Sequence, residues 1–340
     1  MSLKAVITGH LDFGIERSYE QALKMYRRRV ETYYKDDILL EEEQIFNEEE
    51  CSLVIGKFNT NCSKRFWRNT YLLLDYVSQF AVSGYIHMWL LEEGVIKKEA
   101  FIEPRGDRST VIAYHEGNNL MKEGKTDEAI VAFTDSLGKY PKNSNALEKR
   151  GMLYHQLGDS EKAKRDFEDS LVIYDGNAKA NFGLGQIALA ADEYQIAIEH
   201  FQKTIKGSIP HQPIYWTARY MKGDAHAILG EWDKAAQEYK FFCFREFTEE
   251  NLNFKYQRLA HLKWGKSLMN LKDKGQDALI AFDNMLKIKT VDYDGLTVGE
   301  MRLWRGKARF QVGKKGFKED WKEAAKAGYD EASTLLETCK

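Results

Sequence analysis

Gly117, Gly151 and Gly185 stand 34 residues apart. Ala129, Ala163 and Ala197 keep the same interval, and so do Phe133, Phe167 and Phe201. A fixed period of this length constrains a chain more than its composition does. Each period is one supersecondary unit that cannot bury its apolar face alone, so successive units must stack. Within each period the apolar positions recur at i, i+3, i+4 and i+7, which predicts amphipathic helices. Gly124 and Gly158 mark a turn midway through the first two copies, and Asp192 replaces them in the third. Pro141 closes the first copy. The expected unit is helix–turn–helix, with small residues where two helices cross and an aromatic ring filling the space between neighbours.

The pattern continues with insertions. "ARYMKGDAHAILGEWDKAAQEYKFF" supplies Gly223, Gly230, Ala235 and Tyr239, and its first glycine follows Gly185 by 38 residues, so "GSIPHQP" is a lengthened link. "LAHLKWGKSLMNLKDKGQDALIAFDNML" supplies Gly265, Ala278 and Phe282 with one extra residue in its "KDKG" turn. The last copy holds Gly306, Gly313, Trp321 and Ala325 and leaves the spacing after Gly313. A stack of repeats needs a polar outer face at its end, so a closing helix is expected there.

These residues resemble the tetratricopeptide repeat family, a 34-residue helix–turn–helix with small residues at positions 8 and 20, an aromatic at 24 and often Pro at 32. The final segment is similar to the closing helix of many bacterial members. The resemblance covers roughly residues 109–340, as about six repeats and a cap. It implies an α-solenoid whose first helices line a concave groove for a protein or peptide segment. Family positions 2, 5, 9 and 12 face that groove. Here they supply Tyr114, Asn118, Met121, His155, Lys179, Phe182, Gln186, Tyr220 and Asp224. Tyr114, Phe182 and Tyr220 are the expected anchors, with Asn118 and Lys179 holding a peptide backbone or an acidic group. One subgroup of the family grips chaperone C-terminal peptides through a carboxylate clamp. Asn118 and Lys179 match that clamp, whereas Tyr114, Lys149 and Gly183 depart from it.

Residues 1–108 carry no such period and read as a separate small α+β domain. "YLLLDYVSQFAVSGYIHMWLL", residues 71–91, is long enough to cross a bilayer. Asp75, Gln79 and His87 would be costly at that depth. Helical spacing runs from Phe66 to Val82, Ser63 or Asn61 can cap it, and the character changes at Ser83-Gly84. A helix followed by a strand is therefore expected, against the rival of one unbroken buried helix. "EEG" predicts a hairpin turn after that strand. Upstream, "KAVITGHL" reads as a strand and "RSYEQALKMYRRRVETYY" as a helix with Ser18 as cap and Gln21 completing a capping box. "DDILLEEEQIF" and "CSLVIGKF" read as a hairpin across "NEEE". The order strand, helix, strand, strand, helix, strand, strand suggests a ferredoxin-like sandwich with an added strand. "RGDRS" links this domain to the repeats, which occupy 109–340 and make the chain mainly α.

Signals for chemistry are sparse. The formal net charge of -2 offers no electrostatic footprint for nucleic acid. Cys51, Cys62, Cys243 and Cys339 lie too far apart in sequence for a disulfide framework or zinc motif. Such cysteine usage suits a reduced, cytoplasmic setting, and His10, Asp12 and Glu16 interrupt any apolar leader. "GLGQIA" matches a dinucleotide fingerprint in form only, because a helix rather than a strand precedes it. His155 and His226 read as helix-surface or core residues, Glu41–Glu43 and Glu48–Glu50 as solvated charges, and "YRRRV" as an exposed helix face. The expectation is a non-enzymatic scaffold without cofactor or metal, serving a protein or peptide partner rather than nucleic acid or membrane. The rival is an enzymatic or small-ligand-binding N-terminal domain regulated by the repeats, which a deep polar cavity within residues 1–108 would favour.

Overall fold

The computed structural model describes residues 3–106, 108–288 and 295–339. The chain divides into two compact units, Met1–Ile187 and Ala188–Lys340.

The first unit opens with strand β1 (Leu3–Asp12) and helix α1 (Glu16–Arg29), which runs into a π-helical turn over Val30–Tyr34. A short helix α2 (Glu42–Ile45) leads to β2 (Phe46–Asn47) and β3 (Ser52–Cys62). Helix α3 (Lys64–Val77) precedes the hairpin β4 (Ser83–Glu92) and β5 (Val95–Ile102). The strands lie in the order β2-β3-β1-β4-β5, and every pairing is antiparallel. This is the expected ferredoxin-like arrangement with an added strand: β2-β3-β1-β4 form its four-stranded antiparallel sheet, and β5 extends it beyond β4. Its βαβ units are split: the hairpin at Glu48–Cys51 reverses the chain, and β3 enters between β2 and β1, antiparallel to both. That hairpin is where the sequence placed it, but "DDILLEEEQIF" is not a strand throughout: Glu42–Ile45 form α2, and only Phe46–Asn47 pair as β2. Alternation on β1 puts Ala5, Ile7 and Leu11 against Tyr19, Ala22 and Tyr26 of α1 and Leu73, Leu74 and Val77 of α3.

The greasy run at 71–91 is helix, then a 3₁₀ turn over Ser78–Phe80, then strand. Ser63 caps α3, accepting the Phe66 amide at 3.2 Å. Ser18 is not the cap of α1. That helix begins earlier, at Glu16, and Ser18 sits inside its first turn, accepting from Arg108 Nη2 at 3.2 Å. The "EEG" turn forms between β4 and β5, with Glu93 and Gly94 both left-handed. Among the described residues no helix is long and apolar enough to cross a membrane.

Helix pairs then follow in sequence: α4 (Ser109–Lys122) with α5 (Thr126–Lys139), α6 (Ser144–Gln156) with α7 (Ser160–Ile173), and α8 (Ala178–Ala190) with α9 (Tyr194–Gly207). Three more pairs are α10 (Pro213–Ile228) with α11 (Trp232–Cys243), α12 (Gln257–Met269) with α13 (Gly275–Met285), and α14 (Val298–Gln311) with α15 (Phe317–Lys326). Helix α16 (Asp330–Thr338) closes the chain. This is the expected set of six helix–turn–helix repeats and a cap. The "GLGQIA" segment lies inside α8, with no strand before it.

The periodic residues meet as the spacing requires. A Cβ on Gly117 would stand 2.7 Å from the Phe133 ring, and one on Gly151 would stand 2.9 Å from that of Phe167. Gly223 meets Tyr239, Gly265 meets Phe282 and Gly306 meets Trp321 in the same way. Asp192 adopts the left-handed turn conformation of Gly124 and Gly158, at φ 61° against 76° and 82°. Asp is among the few non-glycine residues that tolerate it.

A second periodic contact was not read from the sequence. Asn143 caps α6 and donates from Nδ2 to Ser136 Oγ at 3.1 Å, while Ser136 donates to the Thr110 carbonyl at 2.9 Å. Thirty-four residues on, Asn177 caps α8 and donates to Ser170 Oγ, which donates to the Ser144 carbonyl. Each network satisfies buried backbone groups where one repeat follows the next.

In the second unit Asp320 is fully buried and accepts from Arg302 Nη1 at 2.9 Å, Arg305 Nε at 2.8 Å and Arg309 Nη1 at 2.8 Å. It ties α14 to α15 beneath the cap. Asp320→Ala leaves three guanidinium groups without their shared carboxylate and is expected to cost about 3–5 kcal/mol in denaturant titration. Gly151→Leu and Ala163→Leu each force bulk into a close helix crossing and should destabilise by about 1–3 kcal/mol, read as a lowered melting temperature.

Candidate functional site

The sheet of the first unit has one face covered by α1 and α3. Its other face carries Thr8, His10 and Asp12 of β1 and Tyr85 and His87 of β4. That face meets the repeats. The His10 ring stacks on Tyr174 with centroids 4.3 Å apart, and its Nε2 lies 3.3 Å from Ser144 Oγ. Thr8 faces the Tyr174 hydroxyl, and Asp12 faces that of Tyr140. Beyond β5, Glu103 accepts the Tyr114 hydroxyl at 2.7 Å and the Pro104 carbonyl lies 2.9 Å from His115 Nε2. The face of α4 and α6 that the resemblance assigns to a partner is thus met, over part of its length, by the chain's own N-terminal domain.

What stays open there is a cavity of about 280 Å³. From the sheet side it is lined by Tyr85, Phe101 and Glu103. From α4 it takes Tyr114, His115, Asn118, Asn119 and Lys122, from α6 Asn145, Glu148 and Lys149, and from α8 Lys179. Repeat geometry explains the convergence: position 9 of one first helix, positions 2, 5 and 6 of the next and position 2 of the third lie on neighbouring faces.

Its charged groups, Lys149, Lys179, Glu148 and Glu103, act on one another across it. Glu148 pulls the Lys149 pKa up, but burial and the like charge of Lys179 outweigh that pull and hold it below the ordinary lysine value. Burial lowers the His87 pKa, the Glu99 carboxylate 2.6 Å away opposes this, and Lys179 adds to the lowering. Burial first, then the Glu103 carboxylate, pushes the Tyr114 hydroxyl well above its usual range. Burial does the same to Tyr85, with Tyr174 and Glu148 adding to it. Both phenols therefore remain protonated donors.

Of the nine groove residues expected from the repeat register, Tyr114, Asn118 and Lys179 line this cavity. Tyr114 was expected as an open anchor. It is instead 5% exposed, packed near Phe133 and bonded to Glu103. Met121 packs half-buried on the core of the first pair. His155, Phe182 and Gln186 are half-buried on α6 and α8. Tyr220 and Asp224 belong to the second unit and are engaged there. Tyr220 stacks on Tyr256 beneath the Lys263 ammonium, and Asp224 accepts from Tyr239 at 2.5 Å and from Lys263 at 2.7 Å. Asn145, Glu148, Lys149 and Lys122 were not named as groove residues. Asn145 and Glu148 hold positions 2 and 5 of the second repeat, so the register itself was the signal that could have found them.

Within residues 1–108 a larger hollow of about 530 Å³ lies under the π-helical turn, floored by Val30, Ile38 and Leu39. Arg27 on its rim is paired with Glu42 at 2.8 Å. Arg29 of the same basic run stacks 3.4 Å over Tyr76 rather than facing solvent as a free charge. His226 is buried, its Nδ1 2.5 Å from Glu231. Among the described residues no group of three or more His, Cys, Asp or Glu could hold a metal ion, and all four cysteines are free.

A run of helix–turn–helix repeats joined to an antiparallel sheet domain defines a class of protein-interaction scaffold. The tetratricopeptide repeat profile matches residues 114–178, 157–213 and 182–240. Soybean (Glycine max) Hsp70-Hsp90 organizing protein 1 is 27% identical over 94 residues, covering 28% of this chain and 16% of its own. Human (Homo sapiens) tetratricopeptide repeat protein 12 is 27% identical over 123 residues, covering 33% of this chain and 17% of its own. The chain thus spans about a sixth of the length of these relatives. Among solved structures, YrrB, described as a TPR protein with an unusual peptide-binding site, shares the fold at a TM-score of 0.50 and 16% identity, over 61% of this chain and 98% of that one.

Burial lowers the His10 pKa to about 4. An unfolded histidine titrates near ~6.5, so the fold disfavours the proton. Its contribution is complete above that pH and is lost as pH falls toward the folded value. The expected loss attributable to His10 is about 2 kcal/mol between roughly pH 7 and pH 5. Urea unfolding of the native chain and of His10→Gln at the two pH values measures it, the variant showing the shallower dependence.

Proposed function

We propose that this protein is a non-enzymatic adaptor. It seats an acidic group of a protein or peptide partner in the cavity between its N-terminal sheet and the first helices of its repeats. The carrying observation is the convergence of Lys122, Lys149 and Lys179 on one small cavity with Asn118 and Asn145 beside them. Two ammonium groups held close enough to depress one pKa are relieved by an anion, so a carboxylate gains there what a neutral group does not. Tyr85 and Phe101, with ring centroids 5.2 Å apart, offer an aromatic wall to the partner's adjoining atoms.

Partner binding should therefore favour segments with an exposed Glu, Asp or chain-terminal carboxylate and should weaken with salt. Labelled ten-residue peptides of graded acidity, titrated by fluorescence anisotropy, test this directly. The double variant Lys149→Gln, Lys179→Gln is expected to lose roughly tenfold or more in affinity for the acidic set. Unchanged binding by a folded double variant overturns the assignment.

A second reading is an adaptor of chaperone C-terminal peptides, as the name of the soybean relative suggests for that protein. Asn118 and Lys179, which match the clamp, both line the cavity. Tyr114, Lys149 and Gly183 stand where the clamp needs other residues, and the Tyr114 hydroxyl is already committed to Glu103. A clamp would require the free carboxylate at a chain end, so an amidated peptide of the same sequence would lose binding.

A further inference from the structure

Glu148 is an odd residue to find in an anion seat. It is 1% exposed, and its Oε1 is buried without a hydrogen-bond partner. Lys149 Nζ lies 3.9 Å from that oxygen, beyond hydrogen-bond reach. The neighbouring carboxylate, Glu103, already accepts the Tyr114 hydroxyl. A buried carboxylate oxygen with no donor is costly, and native structures seldom leave one so. The cavity therefore presents an unanswered acceptor beside an excess of ammonium groups.

The geometry points to a ligand of amino-acid size that carries an ammonium close to a carboxylate, the ammonium on Glu148 and the carboxylate between Lys149 and Lys179. This rests on the anion-seat reading above and adds a cationic contact to it. Size agrees: a volume of about 280 Å³ equals the liquid share of roughly nine waters, so the ligand has on the order of ten non-hydrogen atoms. Charge agrees as well. The three lysines outnumber Glu103 and Glu148 by one, and an amino dicarboxylate carries one net negative charge. Both a free acidic amino acid and an acidic residue at the amino end of a partner chain have this chemistry.

Calorimetric titration of the full chain separates the possibilities, using L-glutamate, N-acetyl-L-glutamate, glutarate and the tripeptide Glu-Gly-Gly as probes. L-Glutamate should bind at least tenfold more tightly than N-acetyl-L-glutamate and glutarate, which keep the carboxylates and lack the ammonium. Glu148→Gln should erase that preference and leave glutarate binding in place, whereas Lys149→Gln should weaken both. Tripeptide binding as tight as that of glutamate assigns the seat to a chain end, and binding of glutamate alone assigns it to the free amino acid. Equal binding of glutarate and glutamate, or a preference that survives Glu148→Gln, overturns this inference while the anion seat stands. Binding of none of the probes also overturns it, and the acidic-peptide titration then decides the anion seat independently.

Discussion

Contact between a helix glycine and the aromatic ring 15 to 17 residues later is the constraint from which the rest follows. Gly117 on Phe133, Gly151 on Phe167 and Gly265 on Phe282 each leave no room for a Cβ. The ring fills the space that the missing side chain opens, so the two helices of a repeat approach at a fixed distance and angle. Once that crossing is fixed, every first helix presents the same positions to the same side. The cavity inherits its geometry from this: Asn118, Asn145, Glu148 and Lys179 converge because the repeat brings positions 9, 2, 5 and 2 into register, without any local loop to place them.

The same crossing offers the N-terminal sheet a surface on which to dock. A sheet with one face on its own helices still has a second face to cover. Here that face carries His10, Thr8 and Asp12, and these meet Tyr174, Ser144 and Tyr140. The docking is polar and aromatic rather than aliphatic. Its strength therefore depends on hydrogen bonds in a dry setting, and an uncharged His10 is part of it.

The repeats were legible because their signal is redundant: three residue types recur at one interval, and each type has a steric reason to be there. Insertions such as "GSIPHQP" and "KDKG" shift the interval without hiding it. Asp192 shows how a chemical role can survive a change of residue, since it holds the left-handed turn that Gly124 and Gly158 hold elsewhere. The polar links of Asn143 to Ser136 and Asn177 to Ser170 were equally periodic and went unread, because the apolar pattern alone was followed. The N-terminal domain was legible as topology, because the order of its strands and helices already names the split βαβ sheet with one strand added. What was not legible there is the length of β2: the segment read as its strand is helix over Glu42–Ile45, and only Phe46 and Asn47 pair with β3. The cavity was half legible. Register named Asn118 and Lys179, but that Tyr114 would be turned onto Glu103 depends on where the sheet docks, which no local pattern encodes.

Docking and cavity cannot be independent. Glu103 and Tyr85 approach the cavity from the sheet side, and Lys149 and Lys179 from the helices. A ligand that touches both sides binds the docked arrangement and not an undocked one. It therefore stabilises docking in proportion to the logarithm of its concentration over its dissociation constant. The converse follows by linkage: whatever loosens the sheet weakens the ligand by the same factor. Protonation of His10 acts on the docking side of this balance without touching the cavity. A ligand in the cavity acts on the same balance from the other side. The N-terminal domain is thereby more than a neighbour of the repeats, because it supplies one wall of the cavity on these first helices.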